Sequence, residues 1–212
     1  GGGGGGSADS TPTPPSASTP TVNISAEPIS VLLGNSSTLT WSSTNASSCS
    51  ASWTSSTSTS GTQALTINES GNNNFSITCS GAGGSSSASV SIEGYRNTDG
   101  VVVDGYISGA DIFIDENDNW SADATENSTT SDNDGKFTIK YANGNLVSLG
   151  GTDLDSQTLL DNLLITHKLT GHSNFKAITP VTSVAAFMAD SSVLNAALGI
   201  DSSINVFTFD PV

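Results

Sequence analysis

The run SAEPISVLLGNSSTLTWSSTNASSCSAS, residues 25–52, and the later FSITCSGAGGSSSASVSI, residues 75–92, decide the fold class of this chain. Apolar side chains recur at every second position: Leu39 and Trp41 among threonines, then Phe75, Ile77 and Cys79, then Val90 and Ile92. A period of two belongs to a strand with one buried face. Val22 and Ile24 repeat it upstream, and Leu65 and Ile67 repeat it between the two runs. Turn chemistry separates these segments, at Glu27-Pro28, Leu33-Gly34-Asn35, Ser60-Gly61, Ser70-Gly71-Asn72 and Gly81-Ala82-Gly83-Gly84. Short strands at this spacing predict an antiparallel β-sandwich over residues 21–93.

Working outward, composition fits the same class. Only 34 % of the 212 residues are hydrophobic, and the abundant Ser, Thr, Gly and Asn disfavour helix interiors while suiting turns. The formal charge is −15, with five Lys and Arg in all. Nucleic acid requires clustered cations to neutralise phosphates, and no stretch here offers them; an anionic membrane surface is disfavoured for the same reason. The two cysteines, Cys49 and Cys79, lie within one Ser/Thr-rich region. A disulfide between them would suit an oxidising compartment, and two buried free thiols are the alternative.

The two quoted runs resemble a bacterial immunoglobulin-like repeat, in which a strand bearing Trp is followed by a Cys and a second Cys precedes a Gly-rich turn. Trp41, Cys49 and Cys79 carry the match. The order departs from antibody domains, where the tryptophan lies between the cysteines. The resemblance therefore implies an immunoglobulin-like sandwich whose bridge joins other strands. Closing such a loop would contribute about 3–4 kcal/mol.

Residues 1–20, GGGGGGSADSTPTPPSASTP, are expected to form a flexible tether. The segment looks like the start of a mature bacterial lipoprotein, which implies an N-terminal lipid anchor and an outer-membrane, cell-surface location; an engineered linker is the other reading.

Residues 94–212 read as a second β domain with a C-terminal helical portion. VVVDGYISGADIFID (101–115) and KFTIKYA (136–142) are strand candidates. From about Thr158 the spacing lengthens. Thr179 is expected to cap a helix starting at Pro180, with Val181, Val184, Ala185 and Met188 on one face. A second short helix is expected from Ser191 or Ser192 to Leu198, ended by Gly199. The final FTFDPV reads as a strand or loop that continues past Val212, as in a piece of a longer protein.

Between the strand candidates lies DENDNWSADATE, residues 115–126. Oxygen-bearing side chains fall at its first, third, fifth, ninth and twelfth positions, which are Asp115, Asn117, Asn119, Asp123 and Glu126. Ser121, at the seventh, can offer a backbone carbonyl. A twelve-residue loop presents ligands to Ca2+ in this order, because a hard cation takes oxygens and alternate residues turn inward around it. Trp120 occupies the sixth position, where the helix–loop–helix version has Gly, and the flanks read as strands. An EF-hand proper is thus not expected. A solvated acidic turn is the plainer alternative.

The stretch from Asp104 to Ile139 resembles the calcium-binding B-type repeats of bacterial surface adhesins, which are small prealbumin-like sandwiches. Those repeats pair such a loop with a later T-D-x-x-G-x-(F/Y) turn, matched here by Ser131, Asp132, Gly135 and Phe137. The resemblance implies that Asp132 joins the calcium site. GGTDLDSQTLL and ITPVTSVAAFM resemble a segment that accompanies such repeats in large secreted bacterial proteins.

No nucleophile elbow, HExxH or phosphate-binding loop occurs in the sequence. His167 and His172 stand five apart in HKLTGH and read as surface or loop residues. Asp153 and Asp155 suit either a weak second cation site or a plain loop. Trp53 and Trp120 are possible ligand-contact aromatics for sugar, with a buried structural role as the alternative. The function expected is a non-catalytic, calcium-stiffened stalk or adhesin module on a bacterial surface, its further partner an unknown surface protein or glycan. The alternative is an accessory or carbohydrate-binding region of a larger secreted hydrolase.

Overall fold

A computed structural model describes residues 16–161, 163–169 and 175–186. The second expected helix, His172, Met188 and FTFDPV lie outside the described residues, as does most of the tether. The chain divides into two compact units, residues 1–94 and 95–212.

The described part of the first unit has seven strands: β1 (Thr21–Glu27), β2 (Ser30–Leu32), β3 (Ser36–Thr44), β4 (Ser48–Ser50), β5 (Ser60–Thr66), β6 (Gly71–Gly81) and β7 (Gly84–Tyr95). They form two sheets, in the orders β1-β3-β5 and β2-β7-β6-β4. Burial alternates along β3 as the sequence predicts, with Leu39 and Trp41 inside and Thr38, Thr40 and Ser42 outside. Both sheets contribute to shared apolar clusters. Ala26, Leu39 and Ile67 meet Val31 and Ile92 in one, and Trp41 meets Cys49, Ile77 and Cys79 in the other. The result is the expected antiparallel β-sandwich.

Cys49 and Cys79 are disulfide-bonded, with Cα atoms 4.0 Å apart, so the free-thiol alternative does not hold. They sit directly opposite one another on the paired strands β4 and β6. The Cys49 N–H turns the other way, to the Thr57 carbonyl, which leaves the narrow, non-hydrogen-bonded kind of cross-strand pair. The bridge is therefore a rung within one sheet, unlike the sheet-to-sheet bridge of antibody domains.

Ser60 and Gly61 do not turn the chain but begin β5. Gly61 lies opposite Trp41, and a Cβ there would stand 2.6 Å from two indole carbons. Glycine at this position makes room for a ring rather than for a bend. Trp53 fits the alternative of a structural role. Its ring packs edge-on against Trp41 at 5.5 Å between centroids, and its Nε1–H donates to the Ser76 carbonyl at 2.8 Å. Trp53 is half-buried and engaged at both ends.

In the second unit the strands are β8 (Asn97–Val102), β9 (Ile107–Ser108), β10 (Asp111–Asp115), β11 (Ser128–Thr130), β12 (Lys136–Lys140), β13 (Asn145–Leu149), β14 (Thr152–Asp153), β15 (Thr158–Leu159), β16 (Leu164–Lys168) and β17 (Phe175–Ile178). A four-stranded sheet β11-β10-β13-β16 and a three-stranded sheet β12-β8-β17 enclose the core, and β15-β14-β9 form a third, small sheet. Ile112, Ile114, Leu146 and Ile165 from the first sheet meet Val102, Phe137, Ile139 and Ile178 from the second.

Among the described residues, the lengthened spacing after Thr158 gives no helix before Pro180. Leu164–Lys168 instead pairs in register with β13, which buries Ile165 and His167. Helix α1 (Pro180–Ala186) follows. Thr179 caps it as expected, by a reciprocal pair in which the Thr182 N–H donates to Thr179 Oγ1 and the Thr179 N–H to Thr182 Oγ1. Of the expected apolar face, Val184 is 52 % exposed, while Thr182 is buried. The helix docks through hydroxyls: Ser183 Oγ accepts the Thr166 N–H, and Thr182 Oγ1 donates to the Thr166 carbonyl. These bonds satisfy main-chain groups along β16, whose strand partner is β13.

Removal of the disulfide by Cys49→Ala with Cys79→Ala releases a loop with a separation of 30 residues. The first unit is expected to lose about 3–4 kcal/mol, read in denaturant melts, with the second unit's transition unmoved.

Candidate metal centre

Strand β10 delivers the acidic loop. Its last residue, Asp115, is fully buried, although the loop that follows is largely exposed. The carboxylate is satisfied by main chain alone: Oδ1 accepts the N–H groups of Asn117 at 3.3 Å and Asn119 at 3.2 Å, and Oδ2 accepts that of Trp120 at 2.9 Å. The motif then repeats along the chain. Asn117 Oδ1 accepts the Asn119 N–H at 3.1 Å, and Asn119 Oδ1 accepts the Ser121 N–H at 2.8 Å. First, third and fifth positions thus each fold back on the residue two ahead, the Asx turn. Three such turns in succession curl the loop and bring its alternate side chains to one side.

The ninth and twelfth positions close the curl. Asp123 Oδ2 accepts the side-chain N–H groups of Asn117 at 2.7 Å and Asn119 at 2.9 Å. Glu126 Oε1 accepts the Glu116 N–H and Oε2 the Asp123 N–H. Structure therefore gathers Asp115, Asn117, Asn119, Asp123 and Glu126 into one network, with Ser121 held through its N–H. Each Asn Oδ1 has used one of its two lone pairs, and each carboxylate keeps acceptor capacity. The donors are all oxygen, the set a hard cation such as calcium takes. Among the described residues, no three His, Cys, Asp or Glu side chains come together closely enough to hold a metal by themselves. A cation here would depend on the two Asn amides and on main-chain oxygen.

Trp120 resolves the question raised by the missing glycine. Its φ is 60°, and that of Asp118 is also 60°, the left-handed region that a bulky L-residue rarely occupies. The sixth position makes the turn that Gly normally makes, at a steric cost. Trp120 is half-buried. Asn145 is a contributor that local sequence did not reveal. It opens β13 opposite Asp115, and its Nδ2 donates to Asp118 Oδ1 at 2.6 Å. Only the strand register brings it there.

Asp132 does not join the loop. It follows β11, whose pairing runs alongside the Asp111 end of β10, whereas the loop leaves from the Asp115 end. Four residues of strand separate those ends by roughly 13 Å. Asp132 Oδ1 instead accepts the N–H groups of Asp134 and Lys136, both at 2.8 Å, and so builds its own turn. Asp153 does likewise. It accepts the Ser156 hydroxyl at 2.6 Å and the Asp155 N–H at 2.9 Å, and these bonds hold its carboxyl below the usual carboxylate range. Asp155 belongs to that same turn.

His167 is a core residue rather than a surface one, 1 % exposed. Its Nδ1 lies 2.9 Å from the Ala177 carbonyl. Burial pushes its pKa down to about 4 against the opposing pull of that carbonyl, and nearby Lys176 adds to the depression. Lys176 is itself largely buried, and loss of hydration lowers its pKa. Both face the interior of the second unit, since Ile165 and Ile178, two residues away on each strand, belong to its core.

The chain matches no protein-family model, no curated protein and no solved structure.

Two expectations follow from these residues. Trp120→Val and Trp120→Asn both delete the indole, but only Asn tolerates the left-handed backbone; Val should be less stable by about 1–2 kcal/mol in paired denaturant melts. For His167, the unfolded chain binds a proton between pH 6.5 and about 4, while the folded chain does not. Stability of the second unit should therefore fall as pH drops through that window, by at most about 1.4 kcal/mol per pH unit from this group. His167→Gln should flatten that part of the profile in urea melts taken across the window.

Proposed function

We propose that this chain is a non-catalytic module of a bacterial cell-surface protein, in which Ca2+ bound by residues 115–126 stiffens the second unit. The observation that carries the reading is the run of three Asx turns at Asp115, Asn117 and Asn119, closed by Asp123 and Glu126. A solvated acidic turn has no need to fold each alternate oxygen inward. Calcium would be held by the Asp115, Asp123 and Glu126 carboxylates, the Asn117 and Asn119 side-chain oxygens and the Ser121 carbonyl. It would supply countercharge to carboxylates that otherwise repel one another.

Rigidity is the benefit. The loop joins β10 to β11 in the sheet that supports the core, so tightening it opposes fraying of both strands. The disulfide of the first unit suits an oxidising exterior. The Gly- and Pro-rich N-terminus suits a tether that holds the two units off a surface.

Heating the full chain with calcium and then with EDTA tests the reading. Calcium at about 100 times its dissociation constant should stabilise the second unit by about 2.7 kcal/mol. EDTA should remove that gain and leave the first unit's transition in place. Asp115→Ala and Glu126→Ala should each abolish the response. Identical melting with calcium and with EDTA would contradict the proposal.

A further inference from the structure

Of all the asparagines in the chain, Asn143 alone is followed by glycine. The pair lies in residues 141–144, the short link between β12 and β13. Asn143 is exposed, and its Oδ1 accepts the Tyr141 hydroxyl at 3.0 Å. Among the described residues, neither the Asn143 Nδ2 group nor the Gly144 N–H donates a hydrogen bond. A polarised side-chain amide with a free leaving group thus stands next to an uncommitted main-chain nitrogen.

The glycine is imposed by the fold. A Cβ at position 144 would run into the Asp115 carbonyl and stand 3.0 Å from Ile114 Cγ2. Strand β13 can therefore enter beside β10 only if residue 144 has no side chain. The same lack of a side chain leaves the Gly144 nitrogen unshielded. Asn145 follows directly, opposite Asp115, and its Nδ2 donates to Asp118 Oδ1 at 2.6 Å. Any change in the main chain at Asn143 is thus passed straight to the acidic loop.

We propose that Asn143 is a self-modifying site, where the folded chain turns its own side-chain amide into a carboxylate and loosens β13 from the acidic loop. The Gly144 nitrogen attacks Asn143 Cγ, and a bond forms between them. The Cγ–Nδ2 bond breaks, and Nδ2 leaves as ammonia with the proton that Gly144 gives up. Nucleophile and carbon are adjacent in the chain, so the five-membered ring closes without any loss of translational freedom. The Tyr141 hydroxyl stabilises the charge that develops on Oδ1. Water then opens the ring, its OH going to a carbonyl carbon and its H to the Gly144 nitrogen. Opening at Cγ leaves an aspartate. Opening at the main-chain carbonyl leaves an isoaspartyl link, in which the backbone runs through Cβ and Cγ and is one atom longer. That extra atom displaces Asn145 from Asp115 and Asp118. No metal enters the reaction, so the inference stands apart from the calcium reading.

The test is incubation of the full chain under native conditions with EDTA, at neutral and mildly alkaline pH, followed by peptide mapping by mass spectrometry. Asn143 should convert before every other asparagine, and both aspartyl and isoaspartyl products should appear. Alkali should speed conversion, because the Gly144 N–H must lose its proton. Tyr141→Phe should slow it about two- to tenfold, the worth of one hydrogen bond. In denaturant melts, the second unit of aged protein should unfold at a lower midpoint than that of fresh protein. Asn143→Gln, whose longer side chain would have to close a six-membered ring, should neither convert nor lose stability with age. Asn143→Asp carries the new charge without the longer backbone, and its midpoint should stay above that of the aged protein. Asn143 remaining an amide while other asparagines convert, conversion only in the urea-unfolded chain, or conversion that leaves the midpoint unmoved would overturn the inference.

Discussion

A carboxylate buried at the end of a strand must be met by hydrogen bonds, or its burial costs several kcal/mol. Asp115 meets that demand with three main-chain N–H groups from the next five residues. Its position is fixed by Ile112 and Ile114, which anchor β10 in the core, and by pairing with Asn145. The loop therefore cannot wander. Once Asp115 is set, Asn117 and Asn119 follow as further Asx turns, Trp120 is forced to φ 60°, and Asp123 with Glu126 close the ring. The loop geometry is thus a consequence of where the strand ends.

The two units reach stability by different means. The first has a thin core of two small clusters, bound by a covalent rung and by the Trp41–Trp53 contact across its interior. The second has a longer aliphatic core and accepts polar groups within it. Thr98 and Ser148 each keep a buried hydroxyl oxygen with no partner among the described residues, and His167 and Lys176 are buried nearby in the strand order. Of these, His167 makes the second unit lose stability in acid. Such groups also give it more to gain from a ligand that tightens its loops.

Much of this was legible in the sequence, and the reasons are local. Period-two alternation located β1, β3, the end of β5, β6 and β7, because one face of each is buried and the other wet. Thr179-Pro180 located the start of α1, because capping is decided by adjacent residues. The loop spacing located five side chains that the structure brings together. What the sequence concealed depends on register. Gly61 read as a turn because its reason, the indole of Trp41, lies 20 positions away in the chain. His167 read as surface because nothing beside it tells that β13 and β17 enclose it. Asp132 matched a motif, yet strand pairing carried it to the wrong end of β10. Motif spacing reports on one turn at a time; the distance between two turns is set by the sheet.

The central claim, that residues 115–126 form a calcium loop, is tested most directly by titrating calcium into the isotopically labelled full chain and following backbone amide resonances. The account predicts saturable shifts confined to residues 115–127 and Asn145, the residues joined by the hydrogen-bond network. Shifts that never saturate, or that spread evenly over the acidic residues of the chain, would contradict it.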